Sequence, residues 1–117
     1  MAYRKSLLVP VFLAALAAGP ARADIDGKEF YMLRCATCHG VDGQGSRHAT
    51  PPLAPALKGN PFIVQGSAAA IRTVIRKGRA GAARLYDDAY PNMPSFGTEV
   101  VPDVAAVITY LKGDMQK

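Results

Sequence analysis

Cys35, Cys38 and His39 stand in the order Cys-Ala-Thr-Cys-His, and those two cysteines are the only ones in the 117-residue chain. Two thiols three positions apart lie on one side of a helical turn, and an imidazole follows directly after the second. Both sulfurs can then add to the vinyl groups of a haem while the imidazole faces its iron, so the spacing predicts covalent haem attachment. Such a chain is organised around a flat apolar disc as much as around its own side chains. Two other chemistries use cysteine pairs. A structural zinc site takes roughly four ligands, and here there is no further cysteine and only one other histidine, His48. A thiol-disulfide protein acting through Cys35 and Cys38 belongs in a strand-helix-strand setting, which the rest of the sequence does not offer.

Ahead of the motif, Arg4 and Lys5 precede an apolar run over residues 7–18, and Ala21-Arg22-Ala23 places small residues two apart. This pattern predicts a secretory signal cleaved after about Ala23, with delivery to the periplasm. Pro10 interrupts the run and Gly19-Pro20 ends it, short of the roughly 20 apolar residues that a membrane span needs. A signal retained as an anchor is the alternative, and only then is membrane contact expected. The expected organisation is a leader over residues 1–23 and one domain over residues 24–117. Arg4, Lys5 and Arg22 contribute to the formal net charge of +5, so the remaining domain is only mildly basic and carries no nucleic-acid footprint.

A domain of this size has a thin protein-only core. Both cysteines are taken by the motif, so the haem itself is the expected apolar centre. Asp24 or Asp26 can cap a first helix that runs through residues 30–33 into the motif, with Phe30, Leu33 and Ala36 or Thr37 on one face and Gly40 as its stop. Residues 40–61, rich in glycine and proline, predict a loop without regular elements. Ser67 is placed to cap a second helix ending at Lys77, with Ile71, Val74 and Ile75 on its apolar face, Arg72 and Arg76 on the other, and Gly78 as its terminator. Residues 79–98 form a second irregular segment, of a length usually kept for function. The last helix is expected to begin near Pro102, with Asp103 in its first turn, a stripe of Val104, Val107, Ile108 and Leu111, and Gly113 at its end. The predicted class is all-α, with three main helices, two long loops and no sheet.

Phe30 in a helix leading into Cys35-x-x-Cys38-His39-Gly40, a mid-chain Pro55-Ala56-Leu57-Lys58-Gly59, Met93-Pro94-Ser95-Phe96, and Tyr110 in the last helix together resemble the class I cytochromes c of the bacterial exported type. The resemblance extends over essentially the whole domain. It implies the small cytochrome c fold wrapped around one haem c, with Phe30 and Tyr110 as the aromatic pair where the last helix crosses the first. It also implies a second axial iron ligand opposite His39. Met32 is too near His39 in sequence to reach the other haem face, and Met115 is expected in a frayed tail. Met93 remains, held in a segment stiffened by Pro91 and Pro94. His48 is its competitor and reads as a solvated loop residue. In the family a proline carbonyl accepts a hydrogen bond from the second ring nitrogen of the haem-binding histidine. Pro55 is the expected source here, although Pro52-Leu53 matches part of the same spacing.

Histidine and methionine together occupy both axial positions, leave none for oxygen or peroxide, and raise the reduction potential. The expected function is therefore a one-electron carrier and not an enzyme, shuttling electrons between redox proteins or serving one dehydrogenase or oxidase. Should Met93 not bind, a peroxidase-like or gas-binding haem with an open or labile sixth position is the alternative, and the thiol-disulfide protein is a second one. Arg72, Arg76, Lys77, Arg79 and Arg84 fall between the second helix and the segment leading to Met93. They are expected to form either a docking surface for an acidic partner or a plain solvated face.

Overall fold

The structure, a computed structural model, describes residues 25–46, 49–86, 90–98 and 103–117. The leader, Asp24, His48 and Pro102 lie outside the described residues. Within them the fold is all-α: α1 (Gly27–Arg34), α2 (Ala36–His39), α3 (Pro61–Gln65), α4 (Ala68–Lys77) and α5 (Ala105–Lys112), with no strand among them. No described helix is long and apolar enough to cross a membrane.

Asp26 occupies the N-cap of α1, but its side chain makes no capping bond, and its carbonyl receives the Phe30 N–H at 2.9 Å. The first helix does not run unbroken into the haem motif. It ends at Cys35, and the four-residue α2 then carries the motif to Gly40, where φ of 84° turns the chain away. The buried face is also rotated from the predicted one. Gly27, Phe30 and Tyr31 point inward, whereas Leu33 is 63% exposed.

The reason is the crossing of α1 over α5. A Cβ on Gly27 would lie 2.1 Å from the Ala106 carbonyl oxygen, so the two backbones touch where only hydrogen can fit. One helical turn further along, the rings of Tyr31 and Tyr110 meet at 5.6 Å and 52°. The aromatic pair is therefore Tyr31 with Tyr110. Phe30 is buried in the core without forming that ring pair.

The stripe on α5 is as predicted, with Val104, Val107, Ile108 and Leu111 all buried. Burying side chains of this kind contributes about 1.5–3 kcal/mol apiece before entropy is counted. The helix begins at Ala105, later than expected, and the Asp103 carboxylate accepts from the Ala105 N–H at 2.8 Å. Beyond Gly113 the chain is ordered by contact and does not fray. Residues Asp114–Gln116 form a 3-10 turn, and Met115 is only 5% exposed. The Gln116 amide accepts from Gly59 N–H at 2.7 Å and donates to the Leu111 and Leu57 carbonyls, tying Gln116 to the loop that precedes α3.

Ser67 caps α4 as expected, accepting from the Ala70 N–H at 3.1 Å, and Ile71 and Ile75 are buried on its inner face. Helix α3 falls just after the predicted structureless loop. Asn60 caps it by accepting from Phe62 N–H, and Pro61 takes its first position, where a missing N–H costs nothing. At its other end the Lys112 ammonium donates to the Ile63 carbonyl at 3.0 Å and to Gly66. A cation there satisfies carbonyls that the helix leaves open and joins α3 to α5.

Candidate haem-binding site

Helix α2 turns Cys35, Cys38 and His39 into a cleft of about 1220 Å³, measured out to the solvent at its mouth. The walls come from Leu57, Phe62, Ile63, Ile71, Val74, Ile75 and Leu111, so they are largely aliphatic. Met93 lines the same cleft from the far end of the sequence.

His39 is buried, and its Nδ1 lies 2.9 Å from the Pro55 carbonyl oxygen. That oxygen can only accept, so Nδ1 carries the proton and Nε2 keeps its lone pair. Burial lowers the pKa of the imidazole, and the bond to Pro55 offsets part of the effect. Neutral imidazole with one free nitrogen is the form that binds a metal. Of the two prolines that the sequence offered, the hydrogen bond goes to Pro55.

Cys35 and Cys38 are both half-buried and are not joined by a disulfide. Burial, with a further contribution from Cys38, pushes the Cys35 thiol up to about 11. Cys35 is thus protonated near neutrality, unlike the lowered thiol of a disulfide exchanger. Among the described residues no group of three or more His, Cys, Asp or Glu side chains could hold a metal ion.

Met93 is held by its backbone. It exchanges two hydrogen bonds with Arg79, at 2.9 and 3.0 Å, in an isolated antiparallel bridge. Phe96 N–H donates to the Ile75 carbonyl at 3.0 Å, and the Arg76 guanidinium donates to the Phe96 carbonyl at 3.2 Å. The end of α4 therefore grips the Met93 segment at two places. Gly78 makes this possible, since a Cβ there would lie 2.3 Å from the Met93 carbonyl oxygen.

The five cations do not form one outward patch. Arg72 and Lys77 are exposed and Arg76 is half-buried against Phe96. Arg79 and Arg84 line the cleft. The Arg79 guanidinium lies 5.0 Å from the centre of the Phe62 ring and donates to the Ala83 carbonyl, while Arg84 donates to the Tyr90 carbonyl. A helix-face count cannot see this division, because Arg79 and Arg84 follow the helix and are aimed by the chain's turn at Gly78. The sequence reading also missed Gly27, Tyr31, Lys112 and Gln116. Only the glycine carried a local signal, as a residue poorly suited to a helix interior.

The apolar walls, the paired thiols and the oriented imidazole fit a haem. The family model for cytochrome c matches residues 25–113, and the chain belongs to the cytochrome c family. No curated protein and no solved structure matches it. Membership implies covalently bound haem c and electron transfer based on it. Cys35 and Cys38 are the two thiols of the motif and His39 is its imidazole.

Proposed function

We propose that this chain is a class I cytochrome c carrying one haem, with His39 and Met93 as axial ligands, and that it works as an exported one-electron carrier in the periplasm. What supports the ligand set is that a single cleft gathers Cys35, Cys38, His39 and Met93 from two segments far apart in sequence. The bound haem supplies an iron that takes up and gives back one electron. The chain's own residues do the rest. Pro55 holds the imidazole in one tautomer, the aliphatic walls exclude water, and the bridge to Arg79 keeps the Met93 segment in place. Export is supported by Arg4, Lys5 and the apolar run over residues 7–18, and membrane contact would follow only if that segment were retained.

Acid-acetone extraction tests the attachment. The colour is expected to stay with the protein, and colour leaving with the solvent would defeat the thioether assignment of Cys35 and Cys38.

The partners we propose are redox proteins, a dehydrogenase or an oxidase, approaching with acidic surface. The outward cations on α4 that support this are Arg72 and Lys77. Attraction of opposite charge speeds encounter and weakens with salt. The bimolecular rate of oxidation by ferricyanide, an anion, is expected to fall as salt rises, and to fall severalfold at low salt in Arg72→Glu/Lys77→Glu. Rates indifferent to both changes would leave these side chains as solvated surface.

A further inference from the structure

Tyr31 is fully enclosed, at 0% exposure, yet it carries a hydroxyl into that enclosure. A phenylalanine would fill nearly the same volume without a polar atom to satisfy, so the hydroxyl calls for a physical reason. It donates to the carbonyl of Gly40 at 2.6 Å. The bond spans the whole of the haem motif and closes on the residue directly after His39.

Gly40 opens a turn that is bonded on every side. Its carbonyl also accepts from Gly43 N–H at 3.1 Å, and Gly45 N–H donates to the His39 carbonyl at 2.7 Å. The Gly43 carbonyl in turn accepts from Leu57 and Lys58 N–H at 2.7 and 2.9 Å. Those residues follow Pro55, whose carbonyl holds His39 Nδ1. The backbone bearing His39 and the backbone bearing its hydrogen-bond acceptor are thus both tied to residues 40–45. Tyr31 anchors that turn to the crossing of α1 with α5 through its ring contact with Tyr110.

Building on the assignment of His39 as an axial ligand, we propose that the Tyr31 hydroxyl is a positioning group for that ligand: it fixes the turn that sets the His39–Pro55 hydrogen bond, and through that bond the donor strength of the imidazole. A firm bond from the second ring nitrogen makes a ligating imidazole more basic, which favours the ferric state and lowers the potential. Burial raises the pKa of the phenol, so the hydroxyl remains a donor throughout the physiological range. Without it, the Gly40 carbonyl keeps only the bond from Gly43 N–H, the turn slackens, and the imidazole becomes a weaker donor.

The test is Tyr31→Phe in the haem-loaded protein, with Tyr110→Phe as control because it keeps the ring contact and leaves Gly40 bonded. The haem is expected to stay attached. The ferric-to-ferrous ratio at a fixed applied potential should fall about threefold, a rise of about 28 mV at 59 mV per tenfold for one electron. Exchange of the His39 Nδ1 proton with solvent, followed by NMR on the reduced protein, should quicken about tenfold, with both readouts at parent values in the control. A Tyr31→Phe protein that melts earlier but keeps the parent's potential and proton exchange would overturn the proposal, since the hydroxyl would then be structural only. Colour extracted from the parent protein itself would overturn the haem assignment and this proposal together, so the two failures are distinguishable.

Discussion

Gly27→Ala is expected to destabilise the folded protein by about 3 kcal/mol or more, although the same exchange inside an ordinary helix stabilises by roughly 0.5–1 kcal/mol. The sign reverses because of what the new methyl would meet. Its carbon would lie 2.1 Å from the Ala106 carbonyl oxygen and 2.5 Å from the carbonyl carbon. Both atoms belong to the backbone of α5, so no side chain can rotate away. The helices must separate, and separation pulls apart Tyr31 and Tyr110 and opens the buried face at Val107. Against a total stability of about 5–15 kcal/mol, and at about 4–8 °C per kcal/mol for a domain of this size, the thermal midpoint should drop by more than about 10 °C. Circular dichroism on the haem-loaded protein measures it, with exposed Glu29→Ala as the neutral comparison. An unchanged midpoint would mean that the two backbones are not in contact.

The second large effect is expected at Gly78→Ala, and it should fall on the site more than on the fold. Gly78 has φ of 68° and ψ of −168°, a region essentially reserved for glycine and worth about 1–3 kcal/mol of strain to any other residue. A methyl there would also press on the Met93 carbonyl oxygen at 2.3 Å and the Pro94 carbonyl carbon at 2.8 Å. The bridge to Arg79 is the easiest thing to give way, and Met93 moves with it. In the oxidised protein the near-infrared sulfur-to-iron charge-transfer band should weaken strongly, and added imidazole should bind more readily while the haem remains attached. Met93→Ala provides the limit, with the band absent. A full-strength band in Gly78→Ala would show that the bridge does not hold the ligand, and one in Met93→Ala would pass the ligand role to another residue.

Signals that lie within a few residues of one another could be read directly. The Cys35-Ala36-Thr37-Cys38-His39 motif, the Ser67 cap, the Gly78 stop and the stripe on α5 each depend on near neighbours and on helical spacing. Helix α3 escaped notice because its five residues are too few to show a period, although Asn60 and Pro61 mark its start. The exchange of Phe30 for Tyr31 in the aromatic pair is a matter of one position. One position turns a side chain by roughly 100° around a helix, and the sequence held no means of choosing between two adjacent aromatics.

The local order of the chain determined that there would be three main helices, a haem motif directly after the first of them, and a methionine segment flanked by prolines. Tertiary structure alone decided which aromatic meets Tyr110, that Met115 is core and not tail, that the carbonyl of Pro55 and not of Pro52 accepts the His39 hydrogen bond, and that Arg79 and Arg84 turn toward the cleft while Arg72 and Lys77 face outward. Each of these depends on where two distant backbones touch. The contact of Gly27 with Ala106 and that of Gly78 with Met93 place the helices and loops, and a contact between residues so far apart leaves no periodic trace in the order of the amino acids.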